Sequence, residues 1–411
     1  MSEKIDTVII GGGQAGLSLS YYLSQHGREH VVLEKASQPG EAWRNHRWDS
    51  FTLVTPNWSF RLPGAEYQGP EPGGYLPRAE VVRRLEEYID RYHLPVRYSM
   101  EATSVAPQES GKGYQIQTND GSYQANHVVI ATGLFQKGRI PSLAVEIPSW
   151  VLQLESGDYR NPQALPPGAV LVVGSGQSGC QIAEELYQSG RRVYLCTGTS
   201  GRFPRRYRGK DSVDWAYQSG FFARTPEQLP SPRARFAANP HVSGKNGGHD
   251  LNLHQFYRDG VILLGHLRGV QDGKLLLAPD LKDNLAWADK VASDMAKMFN
   301  LFIEKSGINA PLEEIPALND GYAAPEILTL DLKAAGITAI LWAVGYSFDF
   351  SLVKLPVFDD FGFPVTQRGV TQYPGLYFLG MPWLHTMKSG LFMGVGEDAA
   401  YLAAQITSIL G

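Results

Sequence analysis

Two short glycine-rich segments of this chain have the spacing that brings a main chain into contact with phosphate. GGGQAG follows one apolar run and GSGQSG follows another. In this pattern the first glycine makes a tight turn, the second admits a pyrophosphate, and the third lets a helix pack on the preceding strand. The residues at these positions are Gly11, Gly13, Gln14, Ala15 and Gly16 in the first copy, and Gly174, Gly176, Gln177, Ser178 and Gly179 in the second.

The two glycine segments belong to a longer internal repeat. Residues 8–34 align without gaps on residues 171–197, and each copy reads as strand, turn, helix and second strand. A single glycine motif is also typical of a turn that binds nothing. Two copies in the same strand and helix context therefore predict two dinucleotide sites.

The copies differ where the second strand ends. Glu34 stands there in the first copy and Thr197 in the second. A carboxylate at this position accepts hydrogen bonds from a ribose diol and repels a 2′-phosphate. Six arginines near Thr197 favour NADPH in the second site, with Arg202 and Arg205 as its phosphate ligands; NADH and a merely solvated basic loop stay open as alternatives. These arginines are Arg191, Arg192, Arg202, Arg205, Arg206 and Arg208.

The elements around the motifs predict an α/β fold with two Rossmann-like (three-layer ββα) dinucleotide-binding domains. We expect residues 1–160 to form the first part of the first domain and 331–411 to return to it. The second domain, 161–330, is then inserted in the first and carries a helical and irregular insertion at 201–310. Within that insertion an amphipathic pattern predicts a helix at 281–305.

Composition excludes several other classes of protein. The chain has 411 residues, 43% of them hydrophobic and 19% charged, with a net charge of −4, so neither nucleic acid nor a membrane is an expected partner. Cys180 and Cys196 form no CxxC pair, and the histidines have no metal-ligand spacing, so we expect no metal. The chain has no signal-like start and no apolar run of bilayer length, which predicts a cytoplasmic protein.

The order of six motifs resembles that of the two-dinucleotide-binding flavoproteins, and among them the flavin-containing monooxygenases and their CzcO-like branch. The resemblance covers nearly the whole chain. The motifs are GGGQAG with Glu34, WRNHRWDSFTLVTP at 43–56, VVIATG at 128–133, VVGSGQSG at 172–179, AVGY at 343–346, and PGLYFLG followed by KSGLFMGVGEDA.

The resemblance implies that the first domain binds FAD and the inserted domain binds NAD(P)H. Besides the glycine motifs, it assigns Glu34 and Lys35 to the FAD ribose, Trp43 and Arg44 to the ribityl chain, and Val105 to the adenine. Residues near the pyrophosphate and the isoalloxazine would be Thr132, Gly133, Gly380, Met381 and Leu391.

The chain departs from the monooxygenase pattern at two places. The motif FxGxxxHSxxYR appears as IPSWVLQLESGDYR at 147–160, which keeps Tyr159 and Arg160 but has Glu155 in place of the histidine. After the second strand of the inserted domain the family tends to carry Ser-Arg or Thr-Arg, and this chain has Gly198 and Thr199.

By resemblance, NADPH reduces FAD, and the reduced flavin captures O2 as a C4a-(hydro)peroxyflavin that oxygenates a small organic substrate at nitrogen, sulfur or a carbonyl carbon. Asn57, His385 and Lys388 are the catalytic candidates; Asn57 is also explained as a turn residue. The alternatives are an NAD(P)H-dependent flavin reductase of the pyridine nucleotide-disulfide oxidoreductase type without a redox CxxC, and a nucleotide-binding module without activity. The sequence does not select an oligomeric state.

Overall fold

The computed structural model describes residues 2–109 and 111–408. Within them the α-helices, numbered in chain order, are α1 (Gln14–Gln25), α2 (Glu41–Arg44), α3 (Arg78–Tyr92), α4 (Gln177–Gln188), α5 (Ser212–Gln218), α6 (Leu253–Arg258), α7 (Leu281–Lys305) and α8 (Val395–Ser408).

The strands of the same residues are β1 (Ser2–Ile10), β2 (His30–Leu33), β3 (Arg61–Leu62), β4 (Ala65–Glu66), β5 (Val96–Arg97), β6 (Ala102–Pro107), β7 (Tyr114–Thr118), β8 (Ser122–Ile130), β9 (Lys137–Gly138), β10 (Leu152–Glu155), β11 (Ala169–Val173), β12 (Val193–Cys196), β13 (Arg206–Tyr207), β14 (Lys210–Asp211), β15 (Ile262–Leu264), β16 (Leu267–Gln271), β17 (Lys274–Leu277), β18 (Thr329–Asp331), β19 (Ile337–Trp342), β20 (Tyr346–Ser347) and β21 (Leu376–Phe378).

The first sheet is built around β1, which pairs in parallel with β2 and β8. β5 continues beyond β2, and β21 runs parallel to the carboxyl half of β8, while β7 and β6 continue antiparallel from its amino half. Val8 packs toward the segment that contains Phe350, and Ile9 packs toward α1 and α8. Burial on both faces explains the unbroken apolar run of β1.

The second sheet has the order β10, β19, β11, β12, β15, and every pair is parallel. The predicted α/β fold with two Rossmann-like units is confirmed. The expected range of the second domain, 161–330, does not contain the whole sheet, because β10 and β19 lie outside it. Both flanking segments add a strand to β11, and that pairing between distant segments left no mark in the local sequence pattern.

Two short strands join the sheets. β9 leads out of the first sheet after β8, β20 leads back after β19, and the two pair antiparallel. The chain then returns to the first sheet with β21 beside β8, in register Leu376 to Val128. The inserted order of the two sheets in the chain therefore agrees with the prediction.

The insertion contains three helices, short strands and several 3-10 turns. Its longest element, α7, spans the predicted helix, and Leu285, Ala292 and Phe299 on its inner side are buried. One apolar cluster combines Trp215 of α5 and Phe299 with Met387 from the C-terminal part of the chain. This cluster holds the insertion against the first Rossmann unit. None of the described helices is both long and apolar enough to cross a membrane.

Candidate functional site

The first glycine motif lies where the carboxyl ends of β1, β2 and β8 meet. The Gly11 N–H donates to the Leu33 carbonyl at 2.8 Å, and the Ala131 N–H donates to the Ile10 carbonyl at 2.8 Å. Gly11 has φ +111°, and a Cβ there would lie 2.6 Å from the Ala131 carbonyl oxygen. A Cβ on Gly16 would overlap the Gly11 carbonyl oxygen. Only glycine fits at both positions.

The start of α1 provides a cradle for a phosphate. Its N-cap is Gly13, whose side-chain position is open, since a Cβ there would meet no atom within 4 Å. No side chain caps the helix, so the N–H groups of its first turn face this open space. The arrangement fits the pyrophosphate of FAD, because unpaired N–H groups and the helix dipole both favour an anion.

Glu34 is held at the end of β2 beside this cradle. Its carboxylate accepts the Gly12 N–H at 2.8 Å and the Ala36 N–H at 2.9 Å. Both bonds fix the carboxylate at the carboxyl edge of the sheet, where a ribose diol would lie. The side chain of Lys35 is exposed beyond this edge.

The expected contact between the Val105 main chain and adenine is corrected by the structure. Val105 is fully buried in β6, its N–H donates to the Leu352 carbonyl at 2.7 Å, and its carbonyl accepts the Lys354 N–H at 2.9 Å. Neither main-chain group is free. The segment beside Glu34 is instead residues 99–100, where the Met100 N–H donates to the Glu34 carbonyl at 2.9 Å.

An aromatic wall stands next to the first motif. Trp43 of α2 stacks on Phe392 with ring centroids 5.8 Å apart, and Phe392 lies 4.3 Å from Phe60. Arg44 forms an ion pair with Glu86 of α3 at 2.6 Å, which ties the short helix α2 to its neighbour. Trp43 therefore takes part in the wall, whereas the ion pair gives Arg44 a supporting position.

The carboxyl end of β21 completes the first site. The Leu379 N–H donates to the Ile130 carbonyl at 2.9 Å, so Gly380 and Met381 follow directly beside Thr132 and Gly133. A Cβ on Gly380 would overlap the Cβ of Ala15. The Gln14 side chain donates to the Gly390 carbonyl at 2.7 Å, and Leu391 follows. Residues predicted from opposite ends of the chain are thus brought together.

The three catalytic candidates have different surroundings. Asn57 is buried, and its Nδ2 donates to the Glu71 carbonyl at 2.9 Å, while its Oδ1 has no partner. His385 lies 3.3 Å from Asp398, and Lys388 pairs with Glu397; both carboxylates belong to the first turn of α8. These contacts give His385 and Lys388 a place in the C-terminal cap, and a catalytic role for any of the three stays a prediction.

The second glycine motif repeats the geometry of the first. Gly174 has φ +106°, and a Cβ there would lie 2.5 Å from the Ala343 carbonyl oxygen, as Gly11 does against Ala131. A Cβ on Gly179 would overlap the Gly174 carbonyl oxygen. α4 begins after Gly176 without a side-chain cap, so this site also fits a pyrophosphate. The repeat extends to AVG at 343–345, which matches ATG at 131–133.

Gln177 and Ser178 open α4. The side chain of Gln177 donates to the Val242 carbonyl at 2.8 Å and accepts the Val242 N–H at 3.1 Å. This pair of bonds holds the insertion against the motif, just as Gln14 holds the C-terminal segment. Ser178 is half-buried beside it.

The two arginines predicted to bind a 2′-phosphate are buried and already paired with carboxylates. Arg202 is buried and pairs with Asp289 at 3.1 Å, and Arg205 is buried and pairs with Asp211. Arg205 also lies 4.9 Å from the centroid of the Tyr75 ring. This expectation is corrected, because the insertion folds both guanidinium groups inward to neutralise its own carboxylates.

Groups that were not expected from the sequence surround the end of β12. Thr197 is buried; its hydroxyl donates to the Leu264 carbonyl at 2.8 Å and accepts from Asn284 at 3.1 Å. Beyond it, the His266 imidazole is bound to Asp280 at 2.7 Å. In the sequence, the apolar run of β15 shows that His266 follows the end of a strand. Only the parallel pairing of β12 with β15 shows that the two strand ends lie side by side.

Tyr159 and Arg160, the retained part of the family motif, support the loop after α2. The Tyr159 hydroxyl donates to Glu185 of α4 at 3.1 Å, and Arg160 donates to the Arg47 carbonyl at 3.1 Å. Glu155, which replaces the motif histidine, lies against Gly138 of β9, and its Oε2 has no partner. Arg160 therefore holds the segment that follows α2, while Tyr159 bonds to α4, the helix that begins at the second glycine motif.

The insertion also reaches the first unit near Asn57. Trp58 Nε1 donates to Asp214 of α5 at 2.6 Å, and burial raises the pKa of Asp214. Gly244 of the insertion packs against the Leu53 carbonyl so closely that a Cβ at Gly244 would overlap the carbonyl oxygen. These contacts close one side of the region between the two motifs.

A separate open cleft of about 1010 Å³ lies beside the crossing strands. It is lined by Arg139, Phe236, Ser347, Phe348 and Phe361 among others, and by none of the residues predicted to bind cofactors. It is therefore distinct from both nucleotide sites. Within the described residues no group of three or more His, Cys, Asp or Glu side chains could hold a metal ion.

The model of the pyridine nucleotide-disulphide oxidoreductase family matches residues 8–221, which include both glycine motifs. The chain belongs to this family. It is 33% identical to an uncharacterized CzcO-like oxidoreductase of Geobacillus kaustophilus, covering 99% of each chain. It is 30% identical to the CzcO oxidoreductase of Bacillus subtilis, covering 98% of this chain and 99% of the relative. The predicted CzcO-like membership and the assignment as an oxidoreductase are confirmed.

A solved structure with the same fold is a flavin-containing monooxygenase from Stenotrophomonas maltophilia, with a TM-score of 0.68, 21% identity and 100% coverage of both chains. The disulfide chemistry in the family's name needs accessible thiols. Cys180 in α4 and Cys196 in β12 are fully buried, and burial raises the pKa of both thiols. Neither cysteine of this oxidoreductase is placed for thiol exchange.

Proposed function

We propose that this oxidoreductase is a flavin-dependent monooxygenase that uses NADPH and O2 to oxygenate a small organic molecule at a nitrogen, sulfur or carbonyl centre. The observation that carries the proposal is the pair of glycine cradles, each open to a pyrophosphate, in a chain whose two cysteines are buried. Two nucleotide sites suit electron transfer from a nicotinamide to a flavin. Because no thiol is accessible, a disulfide is disfavoured as the next acceptor and O2 is favoured.

FAD would be held in the first unit. Gly11, Gly13 and the first turn of α1 would bind its pyrophosphate, and Glu34 its ribose. The aromatic wall of Trp43, Phe60 and Phe392 and the end of β21 would border its ring system. When bound, FAD accepts a hydride and passes the electrons to oxygen, chemistry that no side chain supplies.

The nicotinamide nucleotide would be held by Gly174, Gly176 and the first turn of α4. The chain's own residues between the two cradles would orient the substrate and exclude water, since apolar walls limit solvent access. Asn57 offers a buried amide oxygen without a partner, which could accept a hydrogen bond from a bound molecule. The fold shared with the Stenotrophomonas enzyme supports the same assignment.

The test is a reduction and reoxidation experiment on the purified flavin-loaded protein. NADPH or NADH is added without oxygen, the loss of flavin absorbance is followed, and oxygen is then admitted. We expect reduction, faster with NADPH, and a transient absorbing species before the oxidised spectrum returns. Immediate reoxidation with stoichiometric release of hydrogen peroxide would favour the flavin reductase instead. Failure of both nucleotides to reduce the flavin would contradict both enzyme assignments.

A further inference from the structure

The end of β12 lacks a group that the second nucleotide site needs. NADPH differs from NADH by a 2′-phosphate on the adenosine ribose, and in Rossmann units that ribose lies at the end of the second strand of the motif. Thr197 turns its hydroxyl inward, and the buried side chains of Arg202 and Arg205 are paired with the carboxylates of Asp289 and Asp211. The residues after β12 are Thr197, Gly198 and Thr199, so the strand itself supplies no charge at this position.

The neighbouring strand, β15, leads to a side chain that can bind this phosphate. β15 pairs in parallel with β12, so both end at the same edge, and His266 is the second residue after β15. A Cβ placed on Gly198 would lie 3.1 Å from His266 Nε2. The ring therefore lies directly against the turn after β12, and its Nε2 faces the place where the ribose would bind.

Asp280 fixes that orientation. It accepts the His266 N–H at 2.9 Å and binds Nδ1 at 2.7 Å. Nδ1–H donates to this carboxylate, so Nε2 is the nitrogen presented outward, and in the imidazolium form its N–H is a donor for a phosphate. Asn284, one turn into α7, reaches both Asp280 and Thr197, at 3.3 and 3.1 Å, which ties the pair to the end of β12.

Arg268 supplies a positive charge beside His266 and Asp280. Arg268, on β16, lies 3.7 Å from Asp280, and its side chain is 67% exposed. His266 is 38% exposed. One carboxylate thus faces two basic side chains that remain accessible to solvent, an arrangement that leaves donors for a dianionic phosphate.

We propose that His266, oriented by Asp280, binds the 2′-phosphate of NADPH together with Arg268. His266 thereby takes the place of the arginine that the family tends to carry after β12 and that this chain replaces with Gly198 and Thr199. Gly198 contributes to this phosphate site, because a side chain at its position would crowd the His266 imidazole. The inference rests on the proposed function, since it assumes that the second cradle binds a nicotinamide nucleotide.

The test is calorimetric binding of NADP⁺ and NAD⁺ to the oxidised, flavin-loaded protein, which needs no turnover. Loss of a charged hydrogen bond predicts that His266→Gln weakens NADP⁺ binding by roughly 10- to 100-fold and changes NAD⁺ binding by less than about twofold. His266→Lys should restore most of the NADP⁺ affinity, because the lysine ammonium group can also donate to the phosphate. His26→Gln is the matched control, since His26 is an exposed histidine in the first unit and should change neither affinity.

Arg268→Gln is the second variant, and its exposed position makes unfolding no concern. It should weaken NADP⁺ by several-fold and leave NAD⁺ unchanged. The inference is overturned if His266→Gln and Arg268→Gln leave NADP⁺ affinity unchanged, if they weaken both nucleotides equally, or if the wild-type protein prefers NAD⁺ while NADH still reduces its flavin. Only binding of neither nucleotide would overturn the proposed function as well.

Discussion

Single residues at equivalent positions carry different chemistry in the two nucleotide sites. Glu34 ends β2 with a carboxylate held by two main-chain N–H groups. Thr197 ends β12 with a hydroxyl turned toward the interior. The first position suits a ribose with both hydroxyls free, whereas Thr197 at the second position carries no charge that would repel a phosphate. The difference lies in side chains, because the main chains of the two motifs repeat each other.

Replacing Glu34 by alanine should remove FAD from the purified protein. The carboxylate would no longer bind the ribose or hold the Gly12 N–H, and charged hydrogen bonds of this kind contribute about 1.5–3 kcal/mol each. We expect FAD affinity to fall by roughly 10- to 100-fold. The measurement is the ratio of flavin to protein absorbance after dialysis. Glu109→Ala, which removes an exposed carboxylate elsewhere in the first unit, is the control, and equal loss in both variants would contradict the role of Glu34.

Arg205 should matter for stability rather than for nucleotide selection. Its guanidinium and the Asp211 carboxylate are almost completely buried together. Arg205→Ala would leave that carboxylate without its partner, which typically costs about 3–5 kcal/mol of unfolding free energy. Urea unfolding measures this, with the exposed Arg206→Ala as control. If the Arg205→Ala variant instead kept wild-type stability but bound NADP⁺ less tightly than the wild type does, with NAD⁺ binding unchanged, Arg205 would be a phosphate ligand.

Among the elements, the glycine turns before α1 and α4 decide whether a phosphate can approach. Gly16 and Gly179 are needed for packing, since a Cβ at either would overlap a carbonyl oxygen of its own motif. Gly13 and Gly176 have no such neighbour: the former faces open space and the latter only the Ser200 hydroxyl, 3.7 Å away. The same motif therefore contains positions that serve the fold and positions that serve the ligand.

This distinction gives a paired prediction. Gly13→Ala should lower FAD affinity and Gly176→Ala should lower nicotinamide nucleotide affinity, each by roughly 10- to 100-fold, because a methyl group would occupy space needed by the pyrophosphate at a cost of about 1–3 kcal/mol. Melting temperatures of the two proteins without nucleotide should match the wild type. Gly16→Ala, by contrast, should unfold at lower temperature. Loss of FAD in the Gly176 variant alone would reverse the assignment of the two sites.

At the scale of the whole molecule, the insertion binds the two Rossmann units together. It contacts the second motif through Gln177, the first unit through Trp58, and the C-terminal cap through the cluster that contains Met387. His249 adds one more link, since it lies 2.6 Å from Glu184 of α4. The space between the motifs is thus closed by a segment that carries no glycine motif of its own.

The His249 contact should make this docking sensitive to pH. The hydrogen bond to Glu184 raises the pKa of His249 above its value in the unfolded chain, so its contribution is full below about pH 6.5 and is lost as pH rises through the folded pKa. Because the imidazole is partly exposed, we expect less than about 1 kcal/mol. Urea unfolding of wild type and His249→Gln should differ at low pH and converge at high pH. A difference that grows with pH would contradict this.

Much of the architecture was predictable from the sequence because it is written locally. The glycine spacing, the apolar strands that flank it and the periodicity of α7 predicted both Rossmann units and the longest helix of the insertion. The position of Glu34 was predictable for the same reason, since the residue that ends the second strand of such a unit lies at the carboxyl edge of the sheet, beside the ribose. The strand and helix pattern also predicted the return of the chain to the first domain, and β21 pairs with β8 of the first sheet.

Only the tertiary structure decided which charged residues remain accessible. Arg202 and Arg205 have the composition of a phosphate site, yet their partners Asp289 and Asp211 draw them into the interior. His266 reaches the end of β12 through strand pairing, and β10 and β19 join the second sheet from outside the expected domain. A local pattern determines turns and periodicity, but which strands pair and which charges meet depends on contacts between distant parts of the chain.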